Sequence, residues 1–239
     1  MSIKKIVLGF ALAGIVGAST ALAETDGAFV GVQLGYGGLK SKSESSYTGT
    51  ATANIQGQQQ VTPLSGGSSS SSISLTGVRF GIMGGYKQFF TPEFGARYYG
   101  VIDFGTKYKK DSAKVSTTNI SANADALYNF ISKDDLTFGA FGGLSLGYAS
   151  HKADGGNDAK ISGFDLGINL GVRAVVKEKH GIEFYTRFGV LQQKKDESDT
   201  ITDGQDFGQG ISWSSVMNTN ASTKLSQPYQ IGVRYVFSF

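Results

Sequence analysis

The chain has 239 residues, 22 basic and 19 acidic side chains, no cysteine and a formal charge of +3, which leaves neither the basic excess of a nucleic-acid binder nor a disulfide framework. It carries 34 glycines, 11 tyrosines and 16 phenylalanines against 3 prolines, a composition that favours many tightly packed strands over helices. Its mean hydropathy of -0.11 is that of an ordinary soluble protein, so the pattern of residues has to decide what the average does not.

Lys4 and Lys5 precede an apolar stretch from Ile6 to Ala18, followed by Ala21-Leu22-Ala23, a small-x-small cleavage site. This predicts a cleaved signal peptide over 1–23 and an exported mature chain over 24–239. A membrane helix needs roughly 20 apolar residues, and this run is shorter and broken by glycine. Cleavage removes two lysines, so the formal charge falls from +3 to +1.

From Ala28 the stretch AFVGVQLGY sets Val30, Val32, Leu34 and Tyr36 on one face and Phe29, Gly31, Gln33 and Gly35 on the other, the period of a strand. The pattern recurs. In VRFGIMGGYK, Val78, Phe80, Ile82 and Tyr86 oppose Arg79, Gly81, Met83 and Lys87. From Ala96, Tyr98, Ile102 and Phe104 oppose Arg97, Tyr99 and Asp103. A fourth copy from Ile120 to Phe130 sets Ala122, Ala124, Ala126 and Tyr128 against Asn123, Asp125 and Asn129. A fifth, from Leu136 to Tyr148, sets Phe138, Ala140, Leu144 and Leu146 against Thr137, Gly139 and Ser145.

The sixth copy is GFDLGINLGVRAVV, in which Phe164, Leu166, Ile168, Leu170, Val172, Ala174 and Val176 alternate with residues that include Asp165 and Arg173. Its Gly163, Gly167 and Gly171 also match the small-residue face of a membrane helix, but that reading puts Asp165, Asn169 and Arg173 in lipid. A seventh takes Ile182, Phe184, Phe188 and Val190 against Glu183, Tyr185 and Arg187. The eighth is the C-terminal PYQIGVRYVFSF, with Tyr229, Ile231, Val233, Tyr235, Phe237 and Phe239 against Gly232, Arg234 and Ser238.

The connections after the second, fourth and sixth segments are short, around 91–93, 132–135 and 177–181. Those after the others are longer and polar, above all 40–75 and 193–224. Short turns on one side and long loops on the other predict a single-domain, all-β, eight-stranded antiparallel transmembrane β-barrel in the bacterial outer membrane, with extracellular loops at about 40–75 and 193–224. Each segment reaches the roughly 9–11 residues that a tilted membrane strand needs. Closure pairs every backbone donor and acceptor in lipid, and the last strand must pair with the first. Tyr229, Tyr235, Phe237 and Phe239 are then expected to form lipid-facing surface and a girdle at the periplasmic interface.

At GGYKQFFTPEFGARYYGVIDFG (84–105) and ADALYNFISKDDLTFGAFGGLSLG (124–147), together with GAFVGVQLGYG and the closing strand, the sequence resembles the Helicobacter-type outer-membrane protein family, whose members include adhesins and porins. The resemblance implies an outer-membrane barrel inserted in lipid. It also makes the aromatic terminus similar to the signal read by outer-membrane assembly machinery in bacterial barrels. The family's large adhesins carry a long domain, often with cysteine pairs, inserted early in the chain. Here that stretch is about 36 residues, rich in Ser, Thr, Gln and Gly and without cysteine, so no sugar- or receptor-binding residue carries over.

The inward set comprises Arg79, Lys87, Arg97, Asp103, Asp125, Asp165, Arg173, Glu183, Arg187 and Arg234. An eight-stranded interior is just wide enough for side chains to fill, and buried charges must be paired, so these residues are expected to plug the lumen. The alternative is a narrow porin-like path for ions or small solutes lined by the same groups. His151 and His180 lack the nucleophile, base and orienting group of a hydrolase, so no catalysis is expected. KKDESDTITDGQD and ADGGND lack the spaced ligands of a calcium loop, and neither metal nor cofactor is expected. Asn119 and Asn220 match a glycosylation acceptor only formally, and SGGSSSSS (65–72) reads as a flexible loop tip. The expected role is surface or adhesion-type binding of a host-surface ligand, with Tyr47, Phe207 and Trp213 as loop aromatics; a mainly structural role is the remaining possibility.

Overall fold

The computed structural model describes residues 24–110, 113–133, 135–154 and 160–239, so the expected signal peptide over 1–23 lies outside the described residues. Ten strands follow one another: β1 (Gly27–Ile55), β2 (Gln58–Phe89), β3 (Phe94–Lys110), β4 (Ala113–Lys133), β5 (Leu136–Asp154), β6 (Lys160–Val176), β7 (His180–Gly189), β8 (Gln192–Gly208), β9 (Ile211–Ser226) and β10 (Gln230–Ser238). Eight of them close a ring in the order β1, β2, β3, β4, β5, β6, β7, β10, with β10 pairing back onto β1.

The closing seam is antiparallel and runs from Phe29 opposite Ser238 to Gly37 opposite Gln230. Two pairs from its Gln230 end Gly35 stands opposite Gly232. A Cβ on Gly35 would come within 2.8 Å of the Tyr185 hydroxyl, and one on Gly232 within 2.9 Å of the Tyr185 ring. Two facing glycines therefore make room for a buried tyrosine that lies across the seam.

Period two explains why these segments pair as they do. Val30, Val32 and Leu34 are exposed while Phe29 and Gln33 are buried. Across the ring, Phe164, Phe184 and Leu144 face outward at 71%, 63% and 60% exposure, whereas Arg97, Asp125 and Glu183 are each 2% exposed. Apolar outside and charged inside is the reverse of a soluble protein and the arrangement that lipid requires. A one-residue slip of register would exchange the two faces, which pins the pairing.

The barrel unit consists of residues 24–40, Ser74–Gln193 and Ser226–Phe239. A second compact unit consists of Ser41–Ile73 and Lys194–Leu225, in which the outer parts of β2 and β1, then β9 and β8, are neighbours in one sheet.

This corrects the expectation that 40–75 and 193–224 are loops. Both are strand over nearly their whole length, and each folds back at a two-residue turn, Gln56-Gly57 and Gln209-Gly210, whose four φ angles are 49°, 85°, 55° and 76°. Positive φ at both central residues is the hairpin turn that matches strand twist. SGGSSSSS lies inside β2 rather than at a loop tip, and KKDESDTITDGQD is the body of β8. The connection after the third strand is also shorter than expected, since β3 ends at Lys110 and β4 begins at Ala113. Most of ADGGND lies outside the described residues.

Candidate functional site

The barrel interior is a set of interlocked charges. Arg97 donates from Nε to Asp125 at 3.0 Å and from its two terminal nitrogens to Glu183 at 2.5 and 3.1 Å. Arg234 stands 3.9 Å from the same Glu183, donates to Gln33 at 3.1 Å and lies 4.0 Å above the Tyr185 ring. Arg79 donates to Asp103 at 2.5 Å and also to Gln227, and Asp103 accepts from Gln33 at 2.5 Å and Gln230 at 3.2 Å. Arg187 pairs with Asp165 at 2.9 Å and donates to Ser145 at 2.9 Å, while Asn119 also donates to Asp165.

Lys87 and Arg173 converge on Glu24, Lys87 at 2.6 Å. Glu24 lies just before β1, and the segment is anchored again where Phe89 N donates to Asp26 at 2.6 Å. The structure thus places all ten inward candidates in buried ion-pair clusters. Sequence reasoning missed Glu24, which sits outside every alternating segment and has no periodic signal, and the uncharged partners Gln227 and Gln230, while Gln33 and Tyr99 were set on the inward face without a partner. A cavity of about 20 Å³ beside Glu24, Lys87, Arg173 and Glu183 is room for about one water.

The histidines do not assemble a catalytic set. His151 is buried against the Thr117 hydroxyl at 2.9 Å, and His180 meets the Tyr235 hydroxyl at 2.8 Å. Around His180 the C-terminal aromatics gather, with Phe237 and Phe239 edge to face at 5.4 Å and His180 and Phe237 at 5.4 Å. Tyr229 is not part of this cluster: its carbonyl accepts from Gly38 N at the opposite end of β10, about 30 Å along the strand. The girdle expected at one interface is therefore divided between the two ends of the closing strand.

In the second unit, Tyr47 lies on β1 with its ring over Gly67, Phe207 near the end of β8 and Trp213 on β9, at 46%, 60% and 38% exposure. The same unit holds a cleft of about 730 Å³ between β2, β1, β9 and β8. Lys42, donating to Glu44 at 2.5 Å, holds that carboxyl below its ordinary value of 4.5, and Lys224 adds to the effect. Lys194, 2.8 Å away, holds Asp196 below its ordinary 3.8.

Both carboxyls are depressed on folding, so what they contribute is present above those ordinary values and is lost only as pH falls through the lower folded ones. Carboxyl chemical shifts followed from pH 6 to 2 in micelles are expected to show midpoints below 4.5 for Glu44 and below 3.8 for Asp196. Ordinary midpoints would show that these pairs do not hold in solution.

None of the curated proteins matches the chain. Among solved structures it is similar to the outer membrane protein OprG from Pseudomonas aeruginosa, at 11% identity over 92% of this chain and 100% of that one, with a TM-score of 0.38. It is similar also to Neisserial surface protein A, at 17% identity over 77% and 95% with a TM-score of 0.36, and to the Ail protein of Yersinia pestis, at 12% over 77% and 97% with a TM-score of 0.32. The family model described as Helicobacter outer membrane protein matches residues 81–239, which takes in β3 to β10 and the end of β2. With a closed ring of eight strands, an apolar exterior and a charged interior beside that match, the chain belongs to the Helicobacter outer membrane protein family.

Proposed function

We propose that this protein is exported through a cleaved signal peptide, is assembled into the outer membrane with its aromatic terminus as the address, and serves as a surface-binding, adhesion-type barrel without catalysis. The observation that carries this reading is the filled lumen. Arg97, Asp125, Glu183 and Arg234 join side chains from β3, β4, β7 and β10 across the interior, leaving the second unit as the part available for work. The ten inward residues act as the plug, and Tyr47, Phe207 and Trp213 are the aromatic contacts offered to a host-surface ligand. The second unit faces outward from the cell in this reading.

The test pairs electrical and binding measurements on protein whose folding is verified by its heat-dependent gel shift. Planar bilayers containing the folded protein are expected to stay silent, and cells displaying it are expected to attach to host surfaces. Replacing Ser41–Ile73 and Lys194–Leu225 by short turns is expected to keep the gel shift and abolish attachment. Discrete current steps that change ion selectivity on Arg97 or Asp165 substitution would favour the porin-like path instead. A silent barrel without attachment, whose loss weakens the envelope, would favour a structural role.

A further inference from the structure

We infer that the short-turn end of the barrel lumen is a binding site for a small monovalent anion, chloride or a similar halide, which serves as the counter-ion that the buried charges lack. The site lies within the barrel and goes beyond the surface-binding reading.

Counting charge locates it. Among the described residues, six buried Lys and Arg side chains meet five buried Asp and Glu. Arg79 pairs with Asp103 and Arg187 with Asp165, one to one. Arg97 and Arg234 share Asp125 and Glu183, two to two. Lys87 and Arg173 are left to share Glu24, two cations to one carboxylate, and a buried charge without a partner is costly. Asp26 and Glu178 also act on Lys87, but both residues are exposed, where water and salt screen them.

The geometry points to the same place. Glu24, Lys87 and Arg173 all line the cavity of about 20 Å³. Arg173 is 4% exposed, and its Nε has no hydrogen-bond partner among the described residues. Lys87 spends two of its three protons, on the Glu24 carboxylate at 2.6 Å and the Glu178 carbonyl at 3.5 Å. Ser238 adds a hydroxyl to the lining, and Phe29, Val175 and Val236 supply apolar walls. The two carboxylates on the lining, Glu24 and Glu183, are already held by cations.

Unspent donors around a surplus positive charge call for an acceptor that is itself negative. A water molecule would accept from Arg173 Nε and leave the charge uncompensated. Size then selects the class. A cavity of this volume holds about one non-hydrogen atom, which admits a halide and excludes sulfate, phosphate and carboxylates.

The test removes and returns the ion. Protein folded in detergent is dialysed from sodium chloride into sodium gluconate of equal concentration, and thermal unfolding is read by the gel shift as chloride or bromide is added back. The midpoint is expected to rise by about 5 °C or more and then level off, once halide reaches about 100 times its half-saturating concentration. Crystals grown in bromide are expected to show an anomalous peak in the cavity, within hydrogen-bond reach of Arg173 Nε. Lys87→Gln and Arg173→Gln each leave one cation to one carboxylate, and each is expected to abolish both the rise and the peak, with the gel shift verifying that it folds.

Absence of the peak from the parent protein would overturn the assignment, and that arm decides even where a variant does not fold. A peak without any rise in the midpoint would mark an adventitious ion only and overturn it too. An equal rise in the parent and in both variants would be a general effect of salt, with the same consequence.

Discussion

Replacing Glu183 by Ala is expected to lower the stability of the membrane-inserted barrel by about 3–5 kcal/mol, the cost of stranding a buried cation. Glu183 is 2% exposed and accepts both terminal nitrogens of Arg97, with Arg234 3.9 Å away. Without it Arg97 keeps Asp125, but among the described residues Arg234 retains neutral partners alone, Gln33, the Tyr99 hydroxyl and the aromatic rings it lies over. A urea titration in lipid vesicles, read by the fraction that keeps its heat-dependent gel shift, measures the loss.

Glu197→Ala is the matched control. That carboxylate is 65% exposed beside Lys195, and its removal is expected to move stability by no more than about 0.5 kcal/mol. Exchanging the whole cluster for apolar residues, Arg97 and Arg234 for Met and Asp125 and Glu183 for Leu, would separate the two meanings of a buried ion-pair network: stability near that of the parent would show that the charges specify the packing more than they strengthen it. A loss below about 1 kcal/mol for Glu183→Ala would contradict a dry, interlocked lumen.

The second large effect belongs to the outer face. Leu144→Arg, in the middle of β5 with its side chain 60% exposed, is expected to cost about 2–4 kcal/mol in a bilayer, because a guanidinium at mid-depth in hydrocarbon has no partner. Ile182→Arg, near the start of β7 and opposite Tyr235 of the C-terminal aromatic group, is expected to cost only about 0–1 kcal/mol, since it reaches the interface. The difference between the two positions depends on lipid. If both cost the same, the apolar face would not be the lipid face.

The barrel was largely legible in the sequence because lipid and lumen impose opposite demands on successive residues. Each strand that crosses the membrane must be apolar at one parity and polar or small at the other, and GFDLGINLGVRAVV writes that contrast plainly. The second unit was not legible for the same reason. Its strands meet water on both faces, so β8 is exposed almost throughout and period two carries no contrast in hydropathy. The surviving signals were Gln56-Gly57 and Gln209-Gly210, two short turn pairs inside stretches whose Ser, Gly and Thr content resembles loop.

The candidate sites divide along the same line. Which charges point inward followed from alternation along one strand, so Arg97, Glu183 and their companions were named from sequence. Which of them pair did not follow, since Arg97 reaches Glu183 across 86 residues of chain and only closure of the ring sets that distance. Glu24 completes Lys87 and Arg173 from outside any strand, and Tyr229 parts from Phe237 and Phe239 because a strand's length separates them.

By itself, then, the sequence determined the outer-membrane barrel, its strand count and the identity of its two faces, because hydropathy at period two is a local property of each segment. Tertiary structure alone decided the ion-pair partners, the sheet built from the expected loops and the cleft within it, because each depends on residues brought together by ring closure or by pairing between distant hairpins.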